Sequence, residues 1–177
     1  MKFIYTISIF LYSILIKLAS PFNIKARQIS DGRGRVFAEL NAKIKHDRPI
    51  IWVHCASLGE FEQGRPIIEA IKKDHPQYRI LLTFFSPSGY EIRKDYKLAD
   101  YICYLPSDTS RNARKLIELV QPELVFFVKY EFWYNFITEL KNRNIPLYLV
   151  SAIFRKNQLF FKSSPWEKMV QKYALRI

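Results

Sequence analysis

The residues best suited to catalysis stand in a short loop after the predicted strand at residues 50–54. The loop is rich in small residues, and Glu60 lies just before a predicted helix. The positive end of the helix dipole favours an ionised carboxylate at that position. Such a carboxylate in a crevice can take a proton from a sugar hydroxyl, and Gly59 permits a ligand to approach the backbone closely. Ser57 and Glu60 also match the S-x-x-E capping box, so a purely structural role is the alternative.

Two further loops carry polar residues that could bind a ligand. Ser86, Ser88 and Gly89 precede a predicted helix, where hydroxyls and backbone N–H groups can hold an anion such as phosphate. An ordinary turn with an N-cap would use the same residue types. Lys129 and Glu131 follow an apolar run, and burying a charge is costly. The two residues are therefore expected to bind a ligand or to form an ion pair. A Lys–Glu ion pair at the start of a helix is the alternative for these two residues.

The elements that must position these loops alternate between strand and helix from residue 49 onward. Strands are predicted at residues 50–54, 79–85, 101–104, 124–128 and 147–150. Helices are predicted at residues 63–74, 90–96, 111–120 and 133–142. This alternation predicts an α/β fold with a Rossmann-like, doubly wound parallel sheet. Ligands bind at the carboxyl ends of such strands, so the loops at 55–62, 86–89, 106–110, 129–135 and 151–156 are expected to converge.

The N-terminal segment is the most apolar part of the chain. Residues 3–16 contain no charge, and Lys2 and Lys17 flank them. This run is shorter than the roughly 20 residues that a membrane span needs, although a snorkelling Lys17 would extend it to Phe22. Residues 1–22 are therefore predicted to form a membrane anchor or an interfacial helix, and residues 23–48 a basic connecting segment. A helix buried in a soluble core is the alternative, which apolar residues all round the helix disfavour.

The charge distribution indicates the kind of partner. The formal net charge is +12, and residues 1–48 hold nine Lys and Arg against three Asp and Glu. Residues 155–177 hold six against one, whereas residues 49–154 hold thirteen against twelve. Basic ends beside an apolar segment favour an anionic membrane surface, and no nucleic-acid partner is expected. The two cysteines and three histidines lack metal-ligand spacing, so free thiols and no metal or cofactor are predicted.

Five segments of the chain resemble motifs of the Kdo transferase family. These glycosyltransferases add the sugar acid Kdo (3-deoxy-D-manno-octulosonic acid) to a lipid A precursor in lipopolysaccharide synthesis. Residues 54–60 are similar to H-x-x-S-x-G-E, residues 83–89 to T-x-x-(S/T)-P-(S/T)-G, and residues 104–108 to Y-L-P-x-D. Residues 121–135 resemble P-x-L-x₄-E-x-E-x-W-x-N, and residues 150–152 resemble the start of (N/S)-A-R-(L/F)-S. The motifs occur in the same order and at the same spacing as in the family.

The resemblance has departures. Lys129 replaces the first Glu of the E-x-E motif, and Tyr134 replaces a common Pro. Ile153 and Arg155 stand where the last motif has Arg and Ser. These departures affect the expected substrate contacts near residues 129 and 153–156, while Glu60 is unchanged.

The resemblance implies a two-domain, B-type glycosyltransferase at the cytoplasmic face of the bacterial inner membrane. Residues 49–177 would form the Rossmann-like acceptor-binding domain, and a C-terminal domain that binds the donor CMP-Kdo would be absent from this chain. The isolated chain is therefore expected to be inactive. Glu60 would be the general base for an inverting attack by the hydroxyl of the lipid A precursor. The residues expected to shape or support the acceptor site are Ser57, Gly59, Ser86, Ser88, Gly89, Glu131 and Asn135.

Two other functions remain open on the sequence. The first is a related glycosyltransferase that acts on a different membrane lipid. The second is a non-catalytic, membrane-anchored Rossmann module that binds a phosphorylated ligand or a partner protein. A Kdo transferase and a related glycosyltransferase would both depend on Glu60 as a base, whereas the non-catalytic module would not.

Overall fold

In the computed structural model, which describes residues 2–152, the chain folds around a five-stranded parallel sheet. The strands are β1 (Ile50–Cys55), β2 (Arg79–Phe84), β3 (Tyr101–Tyr104), β4 (Pro122–Val128) and β5 (Leu147–Val150). Their order in the sheet is β3-β2-β1-β4-β5, and each neighbouring pair is parallel. The first strand, β1, thus lies in the middle of the sheet, with β2 and β3 added on one side and β4 and β5 on the other. The predicted doubly wound, Rossmann-like fold is confirmed.

Six helices accompany the strands within the described residues. They are α1 (Lys2–Ala19), α2 (Ile24–Lys43), α3 (Leu58–Asp74), α4 (Pro87–Arg93), α5 (Ser110–Val120) and α6 (Tyr134–Asn142). Helix α3 starts five residues before its predicted start, so Glu60 lies within its first turn. Helix α4 lies three residues before the predicted segment because Pro87 suits the first turn of a helix, where its missing N–H costs nothing.

The strands place alternate side chains in two apolar cores, one on each face of the sheet. On β1, Ile50 and Trp52 belong to one core, whereas Ile51 and Val53 belong to the other. The first core is closed by α2, α5 and α6, and the second by α3. All six residues of β1 are buried, as expected for the central strand of a parallel sheet.

Helix α2 is the element that the sequence analysis did not predict. It occupies most of the basic segment 23–48, and Ala26, Ile29, Val36 and Leu40 pack from it into the first core. Asn23 caps its N-terminus by accepting hydrogen bonds from the backbone N–H groups of residues 25 and 26. The segment is therefore part of the folded domain, in close contact with the sheet.

Helix α1 lies against the carboxyl edge of the sheet. Its Tyr5 hydroxyl donates a hydrogen bond to the buried carboxylate of Asp108, and the hydroxyl oxygen of Ser13 lies 3.2 Å from that of Ser107. The ring of Tyr12 stacks on Phe85, with 5.9 Å between the ring centroids. One face of α1 is thus docked on the loops that follow β2 and β3.

The opposite face of α1 is an exposed apolar stripe. It consists of Phe3, Ile4, Ile7, Phe10, Leu11, Ile14, Leu15 and Leu18. Their spacing of three or four residues places them along one side of the helix. The helix is therefore not buried in a soluble core, and its apolar residues are separated from its docked face. Among residues 2–152 no single helix is long and apolar enough to cross a bilayer, and only α1 with α2, bent by 119°, meet that test together.

Two parts of the sequence predictions lie outside the described residues. The first is the set of motif departures at Ile153 and Arg155, and the second is the basic C-terminal end at residues 155–177.

The two glycines of α2 provide a matched test of its packing. A Cβ on Gly32 would lie 2.2 Å from the ring of Tyr104, which is buried and packed on Tyr90, whereas a Cβ on Gly34 would meet nothing within 4 Å. We expect Gly32→Ala to lower the free energy of unfolding by about 1–3 kcal/mol through overpacking. Gly34→Ala is expected to raise it by about 0.5–1 kcal/mol, because alanine favours a helix interior. Urea unfolding measures both changes, and an equal effect of the two would contradict the packing of α2.

Candidate active site

Glu60 lies at the carboxyl end of β1, in the first turn of α3. Its carboxylate accepts hydrogen bonds from the Ser57 hydroxyl and from the Lys129 ammonium group, the latter at 3.2 Å. The Glu60 side chain is 18% exposed, so it is accessible while its charge is partly shielded from water. Ser57 is the N-cap residue of α3, yet its side chain makes no hydrogen bond to the helix backbone. The S-x-x-E sequence therefore does not form the reciprocal capping box that was the structural alternative.

The surroundings of Glu60 keep its carboxylate ionised. Partial burial raises the pKa of Glu60, but the hydrogen bonds from Ser57 and Lys129 and the positive charge of Lys129 lower it by more. The net pKa lies below its ordinary value of 4.5. At neutral pH the group is a carboxylate that can accept a proton, although a low pKa also makes it a weaker base.

Lys129 reaches Glu60 from the end of β4. Its backbone has φ of 66°, in the left-handed region, and its N–H donates to the carbonyl oxygen of Val150 at 2.8 Å. Left-handed backbone is uncommon for residues other than glycine and is concentrated at functional sites. The predicted alternative, an ion pair between Lys129 and Glu131, is wrong. Lys129 pairs with Glu60 instead, across 69 positions of sequence.

A buried histidine network lies beside this ion pair. The Nδ1 atom of His54 lies 3.1 Å from the carbonyl oxygen of Thr83, to which it can only donate. The indole N–H of Trp133 donates to Nε2 of His54 at 3.1 Å, which assigns the ring proton to Nδ1. The carboxylate of Glu131 lies 3.5 Å from the same Nε2 atom. Glu131 is therefore at the candidate site, in contact with His54 and separate from the Lys129–Glu60 pair.

The predicted residues of the second loop have local roles in the structure. Ser86 is the N-cap of α4: its hydroxyl accepts the N–H of Ser88 at 3.2 Å and lies 2.9 Å from the Ser88 hydroxyl. A Cβ on Gly89 would lie 2.3 Å from the ring of Phe84, so this glycine permits α4 to pack closely on β2. Gly59 differs, since it is exposed and a Cβ there would meet only Ser57 at 3.8 Å. The space next to Gly59 is thus open to a ligand.

Asn135 is buried and connects two loops. Its amide donates to the carbonyl oxygen of Asp108 at 2.6 Å, and its carbonyl oxygen accepts from the Ser110 hydroxyl at 2.8 Å. The Asp108 carboxylate accepts the backbone N–H groups of Asn135 and Phe136, each at 3.0 Å. Asp108 therefore caps α6 from another loop, a role that the sequence analysis did not assign. Asn135 thus stabilises the loop that leads into α6 by hydrogen bonds to Asp108 and Ser110. Its contact with an acceptor stays a prediction.

The remaining ionisable groups offer no metal site in the described part of the chain. No group of three or more His, Cys, Asp or Glu residues is arranged to hold a metal ion among residues 2–152. Cys55 and Cys103 are free thiols, as predicted, and both are buried. Burial raises the pKa of each thiol, so neither is an activated nucleophile.

The site occurs in a chain whose sequence matches a known family profile. The profile described as 3-deoxy-D-manno-octulosonic-acid transferase (kdotransferase) matches residues 31–175. The chain belongs to the Kdo transferase family. The match includes β1 to β5 and Glu60, but it leaves out α1.

Individual Kdo transferases support this membership. The chain is 36% identical over 131 residues to the 3-deoxy-D-manno-octulosonic acid transferase of Aquifex aeolicus, covering 73% of this chain and 33% of that protein. It is 33% identical over 103 residues to the enzyme of the same name from Haemophilus influenzae, covering 58% of this chain and 24% of that protein. The chain thus spans a quarter to a third of the length of these relatives.

A solved structure of another enzyme shares the fold. A crystal structure of UDP-N-acetylglucosamine 2-epimerase superimposes with a TM-score of 0.51 over 73% of this chain and 40% of that chain. The sequence identity is 13%, so the likeness concerns the fold alone. It supports the Rossmann-like fold of this Kdo transferase family member.

The ion pair between Lys129 and Glu60 predicts a change in titration. We expect Lys129→Met to raise the pKa of Glu60 toward 4.5, because the carboxylate loses one hydrogen bond and a neighbouring positive charge. The pair stabilises the fold above pH 4.5, and this contribution is lost as pH falls through the lower folded pKa. Carboxyl NMR titration of the labelled chain measures the shift. Lys94→Met, which removes a surface pair with Glu91, is the control, and an unchanged Glu60 titration in Lys129→Met would contradict the pairing.

Proposed function

We propose that this chain is the acceptor-side part of a Kdo transferase that transfers Kdo from CMP-Kdo to a lipid A precursor. The observation that carries the proposal is the ionised carboxylate of Glu60 at the carboxyl end of the central strand. Ligands of open parallel sheets bind at that edge. Membership of the Kdo transferase family supplies the class of reaction, and the position of Glu60 supports its proposed role as the base.

The proposed step begins with a hydroxyl of the acceptor beside Glu60. Each carboxylate oxygen has two acceptor positions, so a hydroxyl can bind without displacing Ser57 or Lys129. Glu60 takes the hydroxyl proton while the oxygen forms a bond to the anomeric carbon of Kdo. The bond from that carbon to the CMP phosphate oxygen breaks, and CMP leaves with the bonding electrons. Attack from the face opposite CMP inverts the configuration.

The other parts of the site position this base. Lys129 keeps Glu60 ionised, in a place where the family motif has a Glu. The open space beside Gly59 gives the acceptor access, and the hydroxyls of Ser86 and Ser88 border the neighbouring loop. Gly89 and Asn135 hold these loops in place through packing and hydrogen bonds. No step of the proposal uses a metal or a cofactor bound by this chain.

The donor site is proposed to lie in a further domain of a longer protein. The relatives are three to four times as long as the segment that they share with this chain. In B-type glycosyltransferases the active site lies between two Rossmann-like domains, so Glu60 would face a second domain that carries CMP-Kdo. Under this proposal the isolated chain does not transfer Kdo.

The enzyme is proposed to work at the cytoplasmic face of the bacterial inner membrane. One face of α1 is docked on the domain, so its exposed apolar stripe can enter the membrane only with the helix lying in the plane of the interface. Basic residues near both ends of the chain would add attraction to anionic lipids. Because α1 lies at the carboxyl edge of the sheet, this orientation brings Glu60 near the lipid headgroups.

Replacement of the base in the full-length enzyme tests the proposed chemistry. We expect Glu60→Gln to lower kcat about a hundredfold or more, because general-base catalysis is lost while the side-chain volume is kept. Glu62→Gln is the matched control, since Glu62 lies on the same helix and forms surface ion pairs with Arg65 and Arg93. The assay measures Kdo transfer to a lipid A precursor. Similar activity of Glu60→Gln and Glu62→Gln would favour a non-catalytic role for this part of the protein. If the unaltered enzyme used only a different lipid as acceptor, the related glycosyltransferase would be favoured.

A charge on the exposed stripe tests the membrane orientation. We expect Leu15→Glu to weaken binding to phosphatidylglycerol-containing vesicles about tenfold or more, because Leu15 is 63% exposed and would bury its side chain in lipid. Ile92→Glu is the control, since Ile92 is 58% exposed on α4 and lies off the stripe. Vesicle flotation measures both affinities. Equal binding of Leu15→Glu and the unaltered chain would show that the stripe does not enter the membrane.

A further inference from the structure

The guanidinium group of Arg33 lies between α1 and the domain. The Nε of Arg33 donates to the carbonyl oxygen of Leu105 at 3.1 Å, and the group lies over the ring of Phe85 at 4.6 Å from its centroid. Its Nη2 atom is buried and has no hydrogen-bond partner within the part of the chain that the structure describes. No carboxylate among residues 2–152 forms a salt bridge with Arg33. A buried, charged donor without a partner is costly, so this group is suited to an anion.

Arg33 lines a cavity of about 260 Å³, here called the α1–α2 pocket. Its polar lining residues are Ser13, Lys17, Ser30, Arg33, Ser107 and Asn112. The lining contains two cations and no Asp or Glu. The pocket opens between α1, α2 and the loop that leads into α5, and its electrostatic field favours a negative ligand.

The donors around the pocket suit a phosphate group. A guanidinium fork binds phosphate oxygens through two parallel hydrogen bonds, and Lys17 adds a second positive charge. The hydroxyl of Ser13 donates to the carbonyl oxygen of Ile9 at 2.8 Å, and the Ser107 hydroxyl lies 3.2 Å from it at the wall of the pocket. Arg33 comes from α2 and Lys17 from α1, and both side chains line the pocket.

The surroundings of the pocket indicate that the phosphate belongs to a lipid. Lys17 and Ser13 lie on α1 beside Ile14 and Leu18, which are 37% and 65% exposed on the apolar stripe. Phe22, next along the chain, is 92% exposed. A phosphate in the pocket would have acyl chains within reach of this apolar surface. An anion without an apolar part would leave this apolar surface exposed to water.

We propose that the α1–α2 pocket binds the phosphate group of an acylated lipid through Arg33 and Lys17. Ser13, Lys17 and Ser30 lie outside the residues 31–175 that the family profile matches, whereas Arg33 and Ser107 lie within them. The proposal rests on the membrane orientation proposed above and is independent of Kdo transfer. The pocket connects to the candidate active site through Phe85, whose ring lies 4.9 Å from that of Trp133.

Binding of the 177-residue chain to vesicles tests the site. The probes are phosphatidylcholine vesicles that contain either phosphatidic acid, a phosphate monoester, or phosphatidylglycerol, a phosphate diester, at equal surface charge. We expect Arg33→Gln to weaken binding to phosphatidic acid vesicles about tenfold or more, since a charge-assisted hydrogen-bonded pair is lost. Lys25→Gln is the matched control, because Lys25 is exposed on the same helix and its loss changes the net charge equally. Lys17→Gln alters an exposed side chain and is expected to weaken binding more than Lys25→Gln does.

Thermal unfolding with phosphate and the comparison of vesicle binding among the variants distinguish a specific site from general charge attraction. Thermal unfolding with inorganic phosphate reports on a free anion, and we expect phosphate to raise the Tm of the unaltered chain but not of Arg33→Gln. Equal losses of vesicle binding in Arg33→Gln, Lys17→Gln and Lys25→Gln would overturn the site. Protection by inorganic phosphate together with vesicle binding that does not depend on Arg33 or Lys17 would overturn the assignment to a lipid. If Arg33→Gln fails to fold, the comparison of Lys17→Gln with Lys25→Gln decides the proposal.

Discussion

The ion pair between Lys129 and Glu60 is the interaction on which the account of this chain depends. It joins the first turn of α3 to the end of β4, and it fixes an ionised carboxylate at the carboxyl edge of the sheet. The pair depends on the pairing of β4 with β5. Lys129 follows β4 in a left-handed backbone conformation, and its N–H donates to the carbonyl oxygen of Val150 at the end of β5. The chemistry proposed for the chain therefore follows from sheet topology as much as from residue type.

The same edge of the sheet also carries the surface proposed to meet the membrane. An aromatic series leads from α1 to the site: Tyr12 stacks on Phe85, Phe85 contacts Trp133, and Trp133 donates to His54. The docked face of α1 is held further by the Tyr5 hydrogen bond to Asp108, which also caps α6. Helix α1 thus lies between the exposed stripe and the loops near Glu60. This continuity is consistent with the lipid acceptor proposed above.

The sequence predicted the strands and most of the helices because their signals are local. Apolar runs and helical periodicity identify β1 to β5, α3, α5 and α6, and the rule for parallel sheets predicts the edge on which Glu60 lies. Helix α2 was missed because polar residues and Gly32 and Gly34 hide its few core contacts. The alternative of a Lys129–Glu131 ion pair was wrong because it considered only neighbours in sequence, whereas Glu60 is brought close to Lys129 by the fold. Long-range pairs of this kind have no local signal.

A structure of the full-length enzyme with an acceptor analogue and a non-transferable donor analogue tests the central claim most directly. The account predicts the reacting hydroxyl oxygen within about 3.2 Å of a Glu60 carboxylate oxygen, with Ser57 and Lys129 still in place. A hydroxyl bound to a different base, with Glu60 in contact only with Ser57 and Lys129, would contradict it.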